Sequence, residues 1–139
     1  MKRNLYLSLT ALVLALTANV AFAQSKCKAT IPFAFSADQK ALPAGEYRIT
    51  TTDHVLEIRN YSTNEVADVI AQHDESTKPQ VSRLVFHKYG DRYFLAEVWT
   101  ATGEAGAAGM ELSASKAEQE TRASYKDANG PETIILAMR

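Results

Sequence analysis

The chain has 139 residues, with 15 Lys and Arg against 16 Asp and Glu and 46% hydrophobic residues, which is the size and composition of one globular domain. Its formal charge of -1, without a basic cluster, argues against nucleic-acid binding and against binding to anionic membrane surfaces, since both need a concentrated positive face. The single cysteine excludes an internal disulfide, so stability must come from packing.

The N-terminus predicts export. Lys2 and Arg3 give a basic start, an apolar run from Leu5 to Val20 follows, and an A-x-A cleavage pattern ends at Ala23. The run is on the short side for a membrane span, and small residues close it. We therefore interpret residues 1–23 as a signal peptide.

The mature chain, residues 24–139, is predicted to be a single β-rich domain of a secreted or periplasmic protein, with no membrane span after signal removal. Loss of the two basic signal residues leaves 13 basic against 16 acidic residues. Cys27 lies close to the new N-terminus and is either a free thiol or an intermolecular bridge.

Seven segments of the mature chain have strand patterns, either alternating or continuously apolar. In chain order they are Ala29–Phe35, Glu46–Thr51, Val55–Arg59, Val66–Ala71, Leu84–His87, Tyr93–Trp99 and Thr133–Met138. Pro32 cannot donate a ladder hydrogen bond, so the first segment is expected at a sheet edge. The last segment is apolar throughout and is expected inside a sheet.

The fifth and sixth segments flank Gly90-Asp91, a pair that supports a two-residue hairpin turn. Counting outward from this turn sets Tyr89 opposite Arg92, Lys88 opposite Tyr93, His87 opposite Phe94 and Phe86 opposite Leu95. One face then carries Leu84, Phe86, Tyr93 and Leu95, and the other carries Val85, Phe94, Ala96 and Val98. We expect this hairpin to be central to its sheet and covered on both faces.

One helix is predicted, from Lys116 to Tyr125. Ser115 and Glu118 fit a capping box, and Glu118 stands four residues before Arg122 in the favourable order. The apolar stripe is thin, so the helix is expected to lie against the sheet. The glycine-rich stretch from Ala101 to Met110 is predicted to be a connection, because Gly103, Gly106 and Gly109 favour flexibility.

These elements predict a mainly β fold, a single antiparallel β-barrel or β-sandwich of about seven strands with one short C-terminal α-helix. Three segments resemble a family of small exported bacterial proteins that are mostly described as hypothetical or uncharacterised. They are Ile31–Phe35 (IPFAF), Leu42–Tyr47 (LPAGEY) and Leu84–Trp99 (LVFHKYGDRYFLAEVW). The resemblance implies export and a β-rich fold, and it implies no activity and no functional residues.

Catalytic and metal-binding patterns find little support. His54, His73 and His87 are not at the local spacings that aim two rings at one ion, so no metal or cofactor is expected. The chain lacks a Gly-x-Ser-x-Gly pattern. Glu97 interrupts an apolar strand and is interpreted as a rim carboxylate or a partner of Arg83.

Ligand recognition has weak candidates in Tyr89, Arg92, Tyr93 and Trp99, whose rings and guanidinium group could stack on a flat ligand. The same residues are ordinary strand formers. The leading hypothesis is an exported, non-enzymatic binding or structural module of the cell envelope, with an envelope partner. The alternative is a carrier of a small apolar ligand, with a barrel cavity lined by Tyr47, Leu56, Phe86 and Leu95. An envelope hydrolase is the third hypothesis.

Overall fold

The computed structural model describes residues 25–74, 81–101, 107–127 and 129–139. The predicted signal peptide lies outside these ranges, as do Gly103 and Gly106 of the glycine-rich stretch. Within the described ranges, no helix has the length and apolar character needed to cross a membrane.

The described chain is mainly β, with ten strands in one mixed sheet and one short helix. The elements are β1 Ser25–Ile31, β2 Phe35–Ala37, β3 Lys40–Leu42, β4 Gly45–Thr52, β5 Val55–Asn60, β6 Val66–Asp74, β7 Arg83–Tyr89, β8 Arg92–Ala101, β9 Ala107–Leu112, α1 Lys116–Ser124 and β10 Glu132–Ala137. The sheet order is β1-β4-β5-β6-β9-β8-β2-β3, while β7 pairs with both β8 and β10.

The sheet is open rather than a closed barrel, and it has ten strands rather than about seven. All pairings are antiparallel except a single parallel pairing of β2 with β8, at Ser36 and Phe94. The ends of the sheet meet at one point, where the backbones of Lys28 and Arg139 exchange hydrogen bonds of 2.8 and 3.0 Å.

The β7–β8 hairpin has the predicted register at all four pairs from Tyr89–Arg92 to Phe86–Leu95. Gly90 has a φ of 64°, which the first central residue of a type II′ turn requires. Both faces of the hairpin are buried, since Leu84 and Phe86 belong to the main core while Val85 and Phe94 are buried on the other side.

Of the residues that were assigned to a face of the hairpin, Val98 lies on the opposite face from the prediction. The register shifts between Val85 and Phe86, and β8 has one extra residue there, Ala96. Such a bulge exchanges the faces of all later residues in the strand. Val98 therefore pairs with Leu84 and joins the main core.

Three other predicted segments differ from the structure. The first predicted strand is divided, because β1 ends at Ile31 before Pro32 and β2 begins at Phe35. The predicted connection instead contains β9 from Ala107 onward. The last strand is not interior, since within the described part of the chain its one ladder partner is β7 and Ile135 is 57% exposed.

Gly109, the one glycine of β9, lies in a strand because of a close contact with the neighbouring strand. A Cβ atom at this position would lie 2.5 Å from ring atoms of Trp99. The missing side chain thus allows the indole ring to lie directly on the neighbouring strand.

The interior of the sheet is filled by aromatic rings in contact. Phe33 stacks on Tyr93 with ring centroids 3.9 Å apart, and it meets the edge of Phe86 at 5.2 Å. Phe35 makes edge contacts with Phe86 and Tyr47, both at 5.4 Å. The residues expected to line a carrier cavity are part of this packed core, with Tyr47, Leu56 and Phe86 at 0% and Leu95 at 3% exposure.

Candidate functional site

A groove of about 640 Å³ lies on the outer face of the sheet. Its walls are the outward side chains of β1, β4, β5 and β6, together with Tyr61 and Asn64 from the β5–β6 connection. We call it the outer groove. Alternation produces it, because Tyr47 and Ile49 of β4 point into the core, so Arg48 and Thr50 point outward.

The register of the strands brings like charges together in the outer groove. Arg48 is directly opposite Arg59 on β5, and it is also opposite Lys28 on β1. One row further along the sheet, Glu57 is directly opposite Asp68 on β6. Like charges in directly opposite positions destabilise a sheet, so this arrangement needs an explanation beyond stability.

Tyr61 contacts Arg48 of the groove and the neighbouring Lys28. Arg48 Nε donates a hydrogen bond of 3.3 Å to the Tyr61 hydroxyl oxygen, which raises the pKa of Arg48. The Arg48 guanidinium carbon and Lys28 Nζ each lie 5.2 Å from the centroid of the Tyr61 ring. The aromatic side chain thus stabilises the basic end of the groove by cation-π contacts.

Other cations near the groove have acidic or amide partners. Arg59 Nε is 3.4 Å from Glu57 Oε1, and Arg59 Nη1 donates a 3.2 Å hydrogen bond to Asn64 Oδ1. Lys28 Nζ is 3.1 Å from Glu46 Oε2. Among the described residues, Lys26 and Arg48 have no carboxylate within 4 Å.

Asn60 fixes the connection that carries the rim residues. It is only 2% exposed, and its Oδ1 accepts the backbone N–H of Ser62 at 2.8 Å and of Thr63 at 3.0 Å. This side-chain turn ends β5 and starts the reversal toward β6. Asn64, with a φ of 58°, completes the reversal in a conformation that asparagine tolerates.

The four ligand-binding candidates from the sequence lie in different environments. Tyr89 is 2% exposed beneath α1, and Trp99 is 0% exposed with its indole N–H bonded to Glu97 Oε2 at 2.7 Å. Arg92 Nη1 donates a 2.6 Å hydrogen bond to Thr121 Oγ1 on α1, whereas Tyr93 stacks in the core. Arg92 and Tyr93 line a second surface cleft of about 390 Å³.

A group of four polar side chains, which we call the helix clamp, attaches α1 to the β7–β8 hairpin. It consists of His87, Tyr89, Glu118 and Arg122. Glu118 Oε1 lies 2.8 Å from His87 Nδ1 and accepts a 3.2 Å hydrogen bond from the Tyr89 hydroxyl. Arg122 Nε donates to the Tyr89 oxygen at 3.2 Å, and Arg122 Nη2 is 3.7 Å from Glu118 Oε1.

The clamp changes the ionisation of Glu118. Burial by itself would raise the pKa of this carboxyl, but the hydrogen bond and charge of His87, the Tyr89 hydroxyl and the Arg122 charge together lower it. The ionised form is therefore favoured although the side chain is only 5% exposed. His87 therefore lies opposite Phe94 in the hairpin, as predicted, and contacts this carboxylate on α1 as well.

The predicted capping box is half formed. Ser115 Oγ accepts the backbone N–H of Glu118 at 3.2 Å, as expected. The Glu118 carboxylate turns to the hairpin instead of returning to the Ser115 backbone. The face that α1 buries is therefore polar, with Glu118 and Thr121 as its buried residues.

The other two histidines and Cys27 lie outside the helix clamp. The rings of His54 and His73 come together, with centroids 5.2 Å apart. Within the described ranges, no group of three or more His, Cys, Asp and Glu residues is arranged to hold a metal ion. Cys27 is half-buried, with its Sγ 3.8 Å from Ser82 Oγ.

Comparison of the chain with protein-family models, with curated proteins and with solved structures finds no match. The outer groove was not found from the sequence, although a signal was present. Counting outward from a turn at Asp53 and His54 pairs Arg48 with Arg59.

Proposed function

We propose that this chain is an exported, non-enzymatic binding module of the cell envelope, and that it recognises its ligand at the outer groove. Export rests on the basic start, apolar run and A-x-A pattern of the N-terminus. The observation that carries the binding role is a groove of about 640 Å³ rich in charged side chains on the outer face of a sheet.

The packed interior supports recognition on the outside rather than in a cavity. Carriage of a small apolar ligand would need space among Tyr47, Leu56, Phe86 and Leu95, and these side chains are in mutual core packing. The open sheet of the described residues likewise has no barrel mouth through which such a ligand would enter.

Site-specific photocrosslinking in an export-competent bacterial host tests the proposal. A photoreactive amino acid replaces Thr50, which lies in the groove, or the exposed strand residue Thr133 on β10, as the matched control. We expect an adduct with an envelope component from position 50 and none from position 133. Absence of an adduct at 50, or equal adducts at both positions, would overturn the proposal.

The exported protein also tests the signal peptide directly. Its intact mass should correspond to a chain that begins at Gln24, in the periplasmic or secreted fraction. A full-length chain retained in the membrane would instead show that the N-terminal segment remains attached.

A further inference from the structure

The outer groove has a basic end and an acidic end, and Lys26 of β1, opposite Thr50, lies at the edge of the acidic row. Arg48 opposes Arg59, and one row along the sheet Glu57 opposes Asp68. Side chains on one face of a strand recur every two residues, so the two rows are about 7 Å apart. The groove therefore presents two charges of opposite sign to one bound molecule.

This distribution differs from that of an ordinary solvated sheet surface. Exchanging one residue of each pair would place opposite charges across from each other, which is the favourable arrangement. The chain instead keeps like charges opposite at both rows. A ligand that brings the complementary charge to each row would relieve both repulsions at once.

One group at each end lacks a charged partner within the described residues. Arg48 donates to the neutral hydroxyl of Tyr61, and it has no carboxylate within 4 Å. Asp68 is exposed and has no Lys, Arg or His nitrogen within 4 Å in the same part of the chain. The internal pair of Arg59 and Glu57 lies between them at 3.4 Å.

We infer that the outer groove binds a dipolar ligand, with its acid group between Arg48 and Arg59 and its amino group between Glu57 and Asp68. This inference rests on the proposed function and names the chemical class of the ligand. A polyanion fits less well, because Glu57 and Asp68 would repel its second charge. A purely apolar ligand would leave Arg48, Arg59, Glu57 and Asp68 without a new partner.

Three probes with one carbon skeleton test the inference on the exported protein. They are 6-aminohexanoate, which carries both charges, hexanoate, which carries the acid alone, and hexylamine, which carries the amine alone. Amide shifts in NMR titrations report affinity and location. Each exposed charge contact should strengthen binding by roughly 1.5- to 5-fold, so the dipolar probe should exceed both single-charge probes and shift the signals of β4 and β5.

Two variants separate the ends of the groove. Arg48→Gln should reduce the affinity for 6-aminohexanoate toward that for hexylamine, because Arg59 remains, and Asp68→Asn should reduce it toward that for hexanoate, because Glu57 remains. Lys116→Gln, on the exposed side of α1, is the matched control and should leave all three affinities unchanged. Dispersed amide spectra verify that each variant is folded.

The outcomes are distinguishable from those of the crosslinking experiment. Equal affinities for the three probes, or shifts outside the groove, would overturn the dipolar ligand. A specific adduct at position 50 together with equal probe affinities would leave the binding module intact and exclude this ligand class. If 6-aminohexanoate binds more tightly than both single-charge probes but no envelope adduct forms at position 50, the dipolar ligand class is supported and the proposed function is contradicted.

Discussion

The helix clamp and the outer groove use similar side chains in opposite arrangements. In the clamp, His87, Tyr89 and Arg122 converge on one oxygen of a buried carboxylate, so each polar group meets a complementary partner. In the groove, Arg48 faces Arg59 at the surface. Complementary, buried charge holds two elements together, whereas opposed, exposed charge is available to another molecule.

The clamp also explains how a helix with little apolar surface remains attached. Ala123 of α1 is exposed and Ala117 is half-buried, so apolar burial stabilises the contact only weakly. Glu118 and Thr121 instead provide hydrogen bonds to His87, Tyr89 and Arg92 on the hairpin. Polar contacts of this kind are effective only when every member has a partner.

Replacement of Trp99, on the clamp side of the hairpin, should produce the largest loss of stability. The indole ring is completely buried and lies on Gly109, so Trp99→Ala leaves a cavity that the neighbouring strand cannot fill. We expect a loss of about 3 to 5 kcal/mol in the free energy of unfolding, measured by urea denaturation. Trp99→Phe is the control and should cost less. Equal costs would indicate that ring volume does not matter here.

Removal of the clamp carboxylate should have the next largest effect. Glu118→Ala leaves His87 and Tyr89 without their shared acceptor, and an unsatisfied buried polar group costs about 1 to 3 kcal/mol. Glu120→Ala is the matched control on the same helix, because Glu120 is exposed and its pair with Lys116 at 3.9 Å contributes at most about 0.5 kcal/mol. Similar losses in both variants would mean that the clamp does not stabilise the helix.

The acid dependence of stability follows from the same carboxylate. Its pKa is lower in the folded chain than the ordinary 4.5, so the unfolded chain binds the proton more readily. The stabilisation is complete above pH 4.5 and is lost as the pH falls below that value toward the folded pKa. Urea midpoints between pH 7 and 3 should therefore decrease more steeply for the wild type than for Glu118→Gln. Parallel curves would contradict the assignment.

Sequence reasoning predicted local features well and relations between distant elements poorly. The turn at Gly90 sets the register of the hairpin, so its four cross-strand pairs followed from counting. The bulge at Ala96 was not predictable in this way, because it depends on how β8 meets β7 and β9. Because of this bulge, Val98 lies on the face of the hairpin that joins the main core.

The two sites themselves depend on contacts between elements that are far apart in sequence. His87 and Glu118 are 31 residues apart, and no local pattern relates them. The polar stretch after Phe35 obscured the β2–β3 hairpin, and three glycines obscured β9. The groove required the pairings of β1, β4, β5 and β6 together, and only its central pair could have been found from a turn.

Neutralising one arginine of the groove should have the smallest effect on stability. It should increase stability, whereas the replacements of Trp99 and Glu118 decrease it. Arg48→Gln removes repulsion from Lys28 and Arg59, so the melting temperature at low salt should rise, by less than about 4 °C. The difference should shrink as salt is added, because surface charges are screened. Lys116→Gln is the control, since it removes an attractive pair with Glu120 and should lower the melting temperature slightly.

Whether the melting temperature rises or falls on Arg48→Gln distinguishes the groove from the clamp, even though the change is small. If Arg48 mainly stabilises the fold through Tyr61, its replacement should destabilise the protein at every salt concentration. If repulsion dominates, the wild-type chain gives up stability to keep two guanidinium groups side by side at an exposed site. If replacement of a core residue such as Trp99 abolishes binding, the loss reflects unfolding. If Arg48→Gln abolishes binding, the loss occurs in a protein that is at least as stable as the wild type.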